Sequence, residues 1–250
     1  MSFRLLTYNI HRCIGVDRRF KPERVVEILE HHDADVVLLQ EVDEGVPRSR
    51  ELDLAVELAE SAGYAHFAVG HNHQVRRGGR YGNCTLSRWP ITRERNIDLT
   101  IGRRKRRGCQ HTTLLLPPKQ KGGEERALDV FNLHLGLSAR EREKQVGLLV
   151  RSDELAGLDP TAPCIVGGDF NDWRSLLRPI FTEVFGFRNA TDLKSRWNAA
   201  MRTYPSFAPR GGLDRVYYRG GLDLQAARTC RLKLSQVASD HLPVICDFEL

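Results

Sequence analysis

A chain of 250 residues, 41% hydrophobic and 28% charged with a net charge of +6, is long enough to bury one substantial core, and a single domain over residues 1–250 is expected. No apolar run reaches membrane-spanning length, and MSFRLLTYNI lacks a basic leader and a small-residue cleavage site, so no signal peptide and a cytoplasmic location are expected. The six cysteines (Cys13, Cys84, Cys109, Cys164, Cys230, Cys246) contain no CxxC pair and read as reduced and mostly buried, not as a disulfide frame or zinc site.

In chain order, Phe3–Ile10 alternates as a strand, Pro22 opens a helix with Val25, Ile28 and Leu29 on one face, and Asp35–Gln40 (DVVLLQ) reads as a buried strand. Leu52–Ala62 is predicted helical. Short strands follow at Tyr64–Val69, Asn83–Ser87, Ile91–Leu99, Cys109–Leu116 and Leu128–Leu133, with turn clusters such as RGGR and KGGEE pointing to hairpins. Between Gln74 and Arg107, eleven Arg or Lys face only Glu94 and Asp98, and the run ends in Arg103, Arg104, Lys105, Arg106 and Arg107. Such a segment either attracts a nucleic acid or an anionic membrane surface, or is a hairpin loop kept solvated by charge. Ser138–Leu155 is predicted as one helix, with Ser138 and Glu141 forming a capping box. Pro163–Val166 is a short strand running into GGDFND, Ser175–Phe185 is predicted helical, and strands close the chain at Arg215–Tyr218, Leu222–Leu232 and Pro243–Leu250. Trp89, Trp173 and Trp197 accompany no amphipathic membrane helix. The pattern predicts a layered α/β fold with two mixed sheets.

Four strand ends carry polar groups that structure alone does not require: Asn9 with His11, Gln40 with Glu41, Asp169 with Asn171, and Asp240 with His241. One carboxylate after a buried strand is usually a turn former or helix cap. Four such ends imply a shared site, because half-buried charges cost several kcal/mol unless paired or bound to a metal. Carboxylate and amide oxygens without a thiolate pattern suit magnesium, or manganese, better than zinc. The pairs His71/His73 and Cys109/His111 read as surface or strand residues.

The ordered set TYNIH, LLQEV, YGNCTLSRWP, NLHLG, GGDFND, GGLDRVYY and SDHLPV, running from Asn9 to His241, resembles the endonuclease/exonuclease/phosphatase superfamily. The resemblance implies a four-layer α/β/β/α sandwich with two mixed, mainly antiparallel sheets and a site at one edge of both. It implies a magnesium-dependent phosphoesterase, in the first place a phosphodiesterase or nuclease, with a phospholipid-headgroup or inositol-phosphate phosphoesterase as the alternative and a non-catalytic nucleic-acid-binding module as the remote one. By the same resemblance Glu41, Asn9 and Asp240 hold the metal, Asp169 and Asn171 handle the attacking water, and His134 and His241, the latter supported by Asp214, contact the phosphate. His11, Tyr81, Asn83 and Arg103–Arg107 are candidate substrate contacts, and no obligate protein partner is implied. His11 stands where DNA-repair members carry Asp, and Leu133 where threonine is common before the middle histidine; both departures point away from an abasic-site endonuclease.

Overall fold

The computed structural model describes residues 1–76, 78–118, 123–192 and 200–250; Arg77, Trp197 and the start of the KGGEE turn lie outside them. The strands are β1 (Ser2–Asn9), β2 (Val36–Glu44), β3 (His66–Gln74), β4 (Arg80–Ser87), β5 (Ile91–Asp98), β6 (Gly108–Leu116), β7 (Arg126–His134), β8 (Cys164–Asp169), β9 (Arg188–Asn189), β10 (Asp214–Arg219), β11 (Asp223–Thr229) and β12 (Val244–Glu249). The α-helices are α1 (Pro22–His32), α2 (Leu54–Ser61), α3 (Ala139–Leu149), α4 (Asp153–Ala156) and α5 (Ser235–Ala238). One six-stranded sheet runs β11-β12-β1-β2-β4-β3 and the other β5-β6-β7-β8-β10-β9. Each has one parallel pair, β1 with β2 and β7 with β8, among antiparallel neighbours.

Three apolar clusters give the layers. Phe3, Leu5, Val36, Leu38, Leu128, Ile165, Val216 and Val244 fill the space between the sheets. Val25, Ile28 and Leu29 of α1 and Leu54 and Leu58 of α2 cover the outer face of the first sheet. Val146 and Leu149 of α3 cover the second with Phe131 and Val166. The result is the expected α/β/β/α sandwich. None of the helices among the described residues is long and apolar enough to cross a membrane.

Toward one edge the inter-sheet core turns polar. Gln40 Nε2 donates to Asn132 Oδ1 (2.8 Å) and Thr7 Oγ1 (3.2 Å), Asn132 Nδ2 to Leu39 O (3.1 Å) and Cys84 O (3.0 Å), and Asn83 Nδ2 to Asn132 O (3.0 Å). These buried amides bolt one sheet to the other, with Gln40 Oε1 left without a hydrogen-bond partner among the described residues.

Two helical segments differ from expectation. Ser138 caps α3 through Glu141 N, yet the helix stops at Leu149, because Ser152, in extended conformation, turns its hydroxyl to Leu155 N (3.3 Å) and starts α4 instead. The capping box is half formed, since the Glu141 carboxylate binds Arg104. In Ser175–Phe185 only residues 178–184 are helical, Arg178 and Pro179 leading into a single π-helical turn, Ile180–Val184.

His32 closes α1, buried with Nε2 3.1 Å from Cys230 Sγ. Burial, followed by the charges of His31, Arg228 and Arg4, lowers its pKa from 6.5 to about 4. The fold accepts the neutral ring, so this contribution to stability is complete above pH 6.5 and is lost as pH falls toward about 4. The urea midpoint of the wild type is expected to fall more steeply across that window than that of His32→Gln. Equal slopes would assign the acid sensitivity to other groups.

Candidate active site

The polar strand ends meet because both parallel pairs point their C-terminal ends to the same edge. Asn9 lies opposite Gln40, His134 opposite Asp169, and Asp214, at the start of β10, also opposite Asp169. The loop before β12 adds Asp240 and His241. Asn9, Glu41, His134, Asp169, Asn171, Asp240 and His241 line one cleft of about 290 Å³, together with Lys105 and Arg107 from the basic turn. Local backbone aims two of them. Glu41 is the extra residue of a bulge between Gln40, paired with Asn83, and Val42, paired with Gly82, and its φ of +62° turns it out of the ladder. Before Asp169, Gly168 has φ +134°, and a Cβ there would lie 2.0 Å from Leu133 O; only glycine lets β7 and β8 close up.

Asp169 is the hub. Its Oδ1 accepts from Asn171 N (2.9 Å) and its Oδ2 from Asn9 Nδ2 (3.1 Å), while His134 Nε2 and His241 Nε2 stand 3.4 and 3.8 Å from Oδ2. Burial raises its pKa to about 6 against the opposing pull of His241. His241 Nδ1 is 2.8 Å from Asp214 Oδ2. Burial pushes the imidazolium down, but Asp214 and Asp169 outweigh it and raise the ring to about 10. His134 differs: burial, then Arg107, Lys105 and His241, hold it well below the ordinary value, so its ring is neutral. Of the two histidines in one cleft, His241 is thus charged and His134 neutral. Asp169, Asp214 and His241 place ligand atoms within 4.8 Å of one another. With Nδ1 and Oδ2 bonded to each other, and the ring protonated, the trio forms a proton-holding chain and is poorly suited to chelate a cation.

Glu41 offers the better cation position. Burial would raise its carboxyl, but Arg12, His11 and Lys105 prevail and lower it. Its Oε2 is buried with no hydrogen bond, and Arg12 Nη1 stands 3.4 Å away. An ionised carboxylate with an unfilled oxygen, flanked in the cleft by Asn9 and Asp240 and with no cysteine in the lining, fits a hard divalent cation.

Other predicted contacts lie elsewhere. Asn83 is buried and spends its amide on the inter-sheet seam. His11 Nδ1 donates to Ile14 O (2.8 Å), capping the turn after β1. Tyr81 is buried behind the cleft, its pKa raised by burial and by the charge of Glu41, with Lys105 Nζ 5.1 Å from its ring centre. The basic run divides: Lys105 and Arg107 enter the cleft, Arg104 pairs with Glu141, and Arg103 and Arg106 are exposed. Arg80 and Arg88 are held by Glu44 and Asp33.

Sequence reasoning missed Arg12, which pairs with Glu41, and the cleft-lining Leu137, Trp173, Tyr204 and Leu213. Arg12 reaches Glu41 because His11, Arg12 and Cys13 all adopt positive φ, which no residue type there announces. Trp173 and Tyr204 wall the cleft, their rings 5.6 Å apart and edge-to-face, and Tyr204 lies 5.1 Å from the His241 ring. The signal available for Trp173 was its place two residues after Asn171; for Tyr204 there was none.

A model of the endonuclease/exonuclease/phosphatase family matches residues 6–241. The chain is 30% identical over 267 residues to the uncharacterized protein YbhP of Escherichia coli strain K12, covering 100% of this chain and 97% of that protein. Its fold is similar to an endonuclease/exonuclease/phosphatase protein of Beutenbergia cavernae (TM-score 0.78, 21% identity, 100% of this chain and 72% of that one). It is also similar to D. rerio TDP2 in complex with a single-strand DNA product (TM-score 0.75, 15% identity, 100% and 99%). With the family model spanning nearly the whole chain, the protein belongs to the endonuclease/exonuclease/phosphatase family, whose members hydrolyse phosphate esters and are generally divalent-metal dependent.

Proposed function

We propose that the protein is a magnesium-dependent phosphodiesterase, with manganese as a substitute ion. The carrying observation is the buried Asp169, whose two oxygens are oriented by Asn9 and Asn171 beside a His241 charged by Asp214. A bound cation, held by Glu41 with Asn9 and Asp240, would offset charge developing on the phosphate oxygens. Asp169 takes the proton of a water that attacks phosphorus, and the bond to the leaving oxygen breaks on the far side. Asn171 donates its Nδ2 to Leu135 O (3.0 Å), which leaves its own oxygen to orient that water. His241 is the wrong base: an imidazolium has no lone pair to accept a proton, and it serves as a donor to a non-bridging oxygen. His134, Lys105 and Arg107 add donors and charge on the same side.

Nucleic acid is the substrate reading that the exposed charge supports. Arg93, Arg95, Arg103 and Arg106 are exposed and have no carboxylate partner among the described residues. A second reading, a phospholipid headgroup, draws on the apolar rim: Leu137 and Trp173 line the cleft at 77% and 53% exposure, and Phe207 is 65% exposed. The test is a panel of oligonucleotides, phospholipid vesicles, inositol phosphates and bis(p-nitrophenyl) phosphate, with magnesium and with chelator. Expected are chelator-sensitive diester turnover and oligonucleotide cleavage that weakens steeply with salt. Full activity in chelator would remove the metal reading, and turnover confined to vesicles would replace nucleic acid by lipid.

A further inference from the structure

Arg104 and Glu141 lie outside the cleft, yet they join two segments that form it. Arg104 Nη1 donates to Glu141 Oε2 at 3.0 Å and to Ser138 Oγ at 3.2 Å. The side chain of Glu141 is 8% exposed and that of Arg104 55%. The carboxylate packs over Gly136, where a Cβ would lie 2.4 Å from Glu141 Cδ, and Gln145 Nε2 approaches Oε1 at 3.4 Å.

The first turns of α3 also grip the loop after His134. Gln145 Oε1 accepts from Gly136 N (2.8 Å), and Arg142 Nη1 donates to Leu137 O (2.7 Å). Arg142 Nη2 stands 3.6 Å from Asp172, beside Asn171. The start of α3 is therefore fastened to the segments bearing His134 and Asn171, and Arg104 fastens the basic turn to the same place.

That turn has reason to need fastening. Lys105 and Arg107 carry like charges into one cleft, and burial followed by Arg107's charge lowers the Lys105 pKa. Within the turn, Leu99 N bonds Arg107 O (2.9 Å) and Arg104 N bonds Ile101 O (3.2 Å); neither ties its tip to the rest of the molecule.

We propose that the Arg104–Glu141 pair is a latch holding the turn of residues 99–107 over the cleft, which makes Arg104 a positioning residue for Lys105 and Arg107 when they bind the anionic phosphate ester. The proposal rests on the phosphoesterase reading.

The test uses the full chain with magnesium: KM and kcat on bis(p-nitrophenyl) phosphate, and the inhibition constant of inorganic phosphate, for wild type, Arg104→Ala, Arg104→Lys, Glu141→Gln and the double variant Arg104→Ala/Glu141→Gln. Arg104→Ala is expected to raise KM and the phosphate inhibition constant by roughly five- to tenfold with kcat within about twofold. Arg104→Lys should recover most of the loss, and the double variant should be no worse than Arg104→Ala. Unchanged KM and inhibition constant in Arg104→Ala, a fall confined to kcat, or additive losses in the double variant would overturn the latch. Arg104 is half exposed, so its alanine variant remains informative even if Glu141→Gln does not fold. Should the wild type turn over no phosphate ester, the phosphoesterase reading fails separately; calorimetric phosphate binding still tests the latch, and equal affinity in wild type and Arg104→Ala refutes it.

Discussion

Asp169→Asn is expected to lower kcat on a phosphodiester by about 10³-fold while leaving the melting temperature unchanged or higher, general-base catalysis being worth roughly 10²–10⁴. The substitution keeps the shape of a side chain that is 1% exposed and removes its charge. In the folded protein burial raises this carboxyl to about 6, above its ordinary 3.8. A carboxylate raised on folding stabilises below pH 3.8, and that contribution is lost as pH rises through about 6. At neutral pH the wild type therefore carries an unfavourable buried charge that the asparagine variant lacks. Activity lost with stability kept would place Asp169 in the chemistry. A matched fall in both, by steady-state kinetics and calorimetry, would make it a structural residue.

Asp214→Asn is expected to cost roughly 10²-fold in kcat and to reshape the pH profile. With Asp169 ionised as base and His241 protonated as donor, kcat/KM should rise through about 6, hold a plateau, and fall through about 10. These limbs belong to the interacting pair and not to either residue alone. Asp214 Oδ2 stands 2.8 Å from His241 Nδ1 and is the largest of the three charges, with Asp169 and Asp240, raising that ring. Removing its charge should move the alkaline limb toward neutral pH and, because Asp214 also raises Asp169, shift the acid limb to lower pH. If the alkaline limb stays where it was, His241 does not supply the proton-bearing group. If kcat/KM in the wild type falls between pH 6 and 8, the assignment of acid and base must be exchanged.

Much of this site was legible in the chain, for a local reason. An apolar strand that ends on Asn, Glu, Asp or His records a burial conflict in adjacent residues, and Asn9, Glu41, Asp169 and Asp240–His241 all carry that record. The layered fold was legible too, since apolar periodicity reports which face of each strand or helix is covered. The element boundaries that failed are those where a single polar contact decides, as where Ser152 restarts a helix the apolar pattern would have continued.

By itself the sequence determined the family, the four-layer class and the identity of the polar strand-end groups, because these depend on residue type and order. The rest required the tertiary structure, because it depends on contacts between residues far apart in the chain. Asn9 meets Asp169 across 160 positions. Asn83, on a strand with the same polar texture, was drawn into the seam between the sheets. The basic run reads as one block of charge, yet packing sent Lys105 and Arg107 into the cleft, turned Arg104 to Glu141 and left Arg103 and Arg106 in solvent. Of two histidines of identical chemistry one is charged and the other neutral, because His241 faces the carboxylates of Asp214, Asp169 and Asp240 while His134, also close to Asp169, is buried among cations.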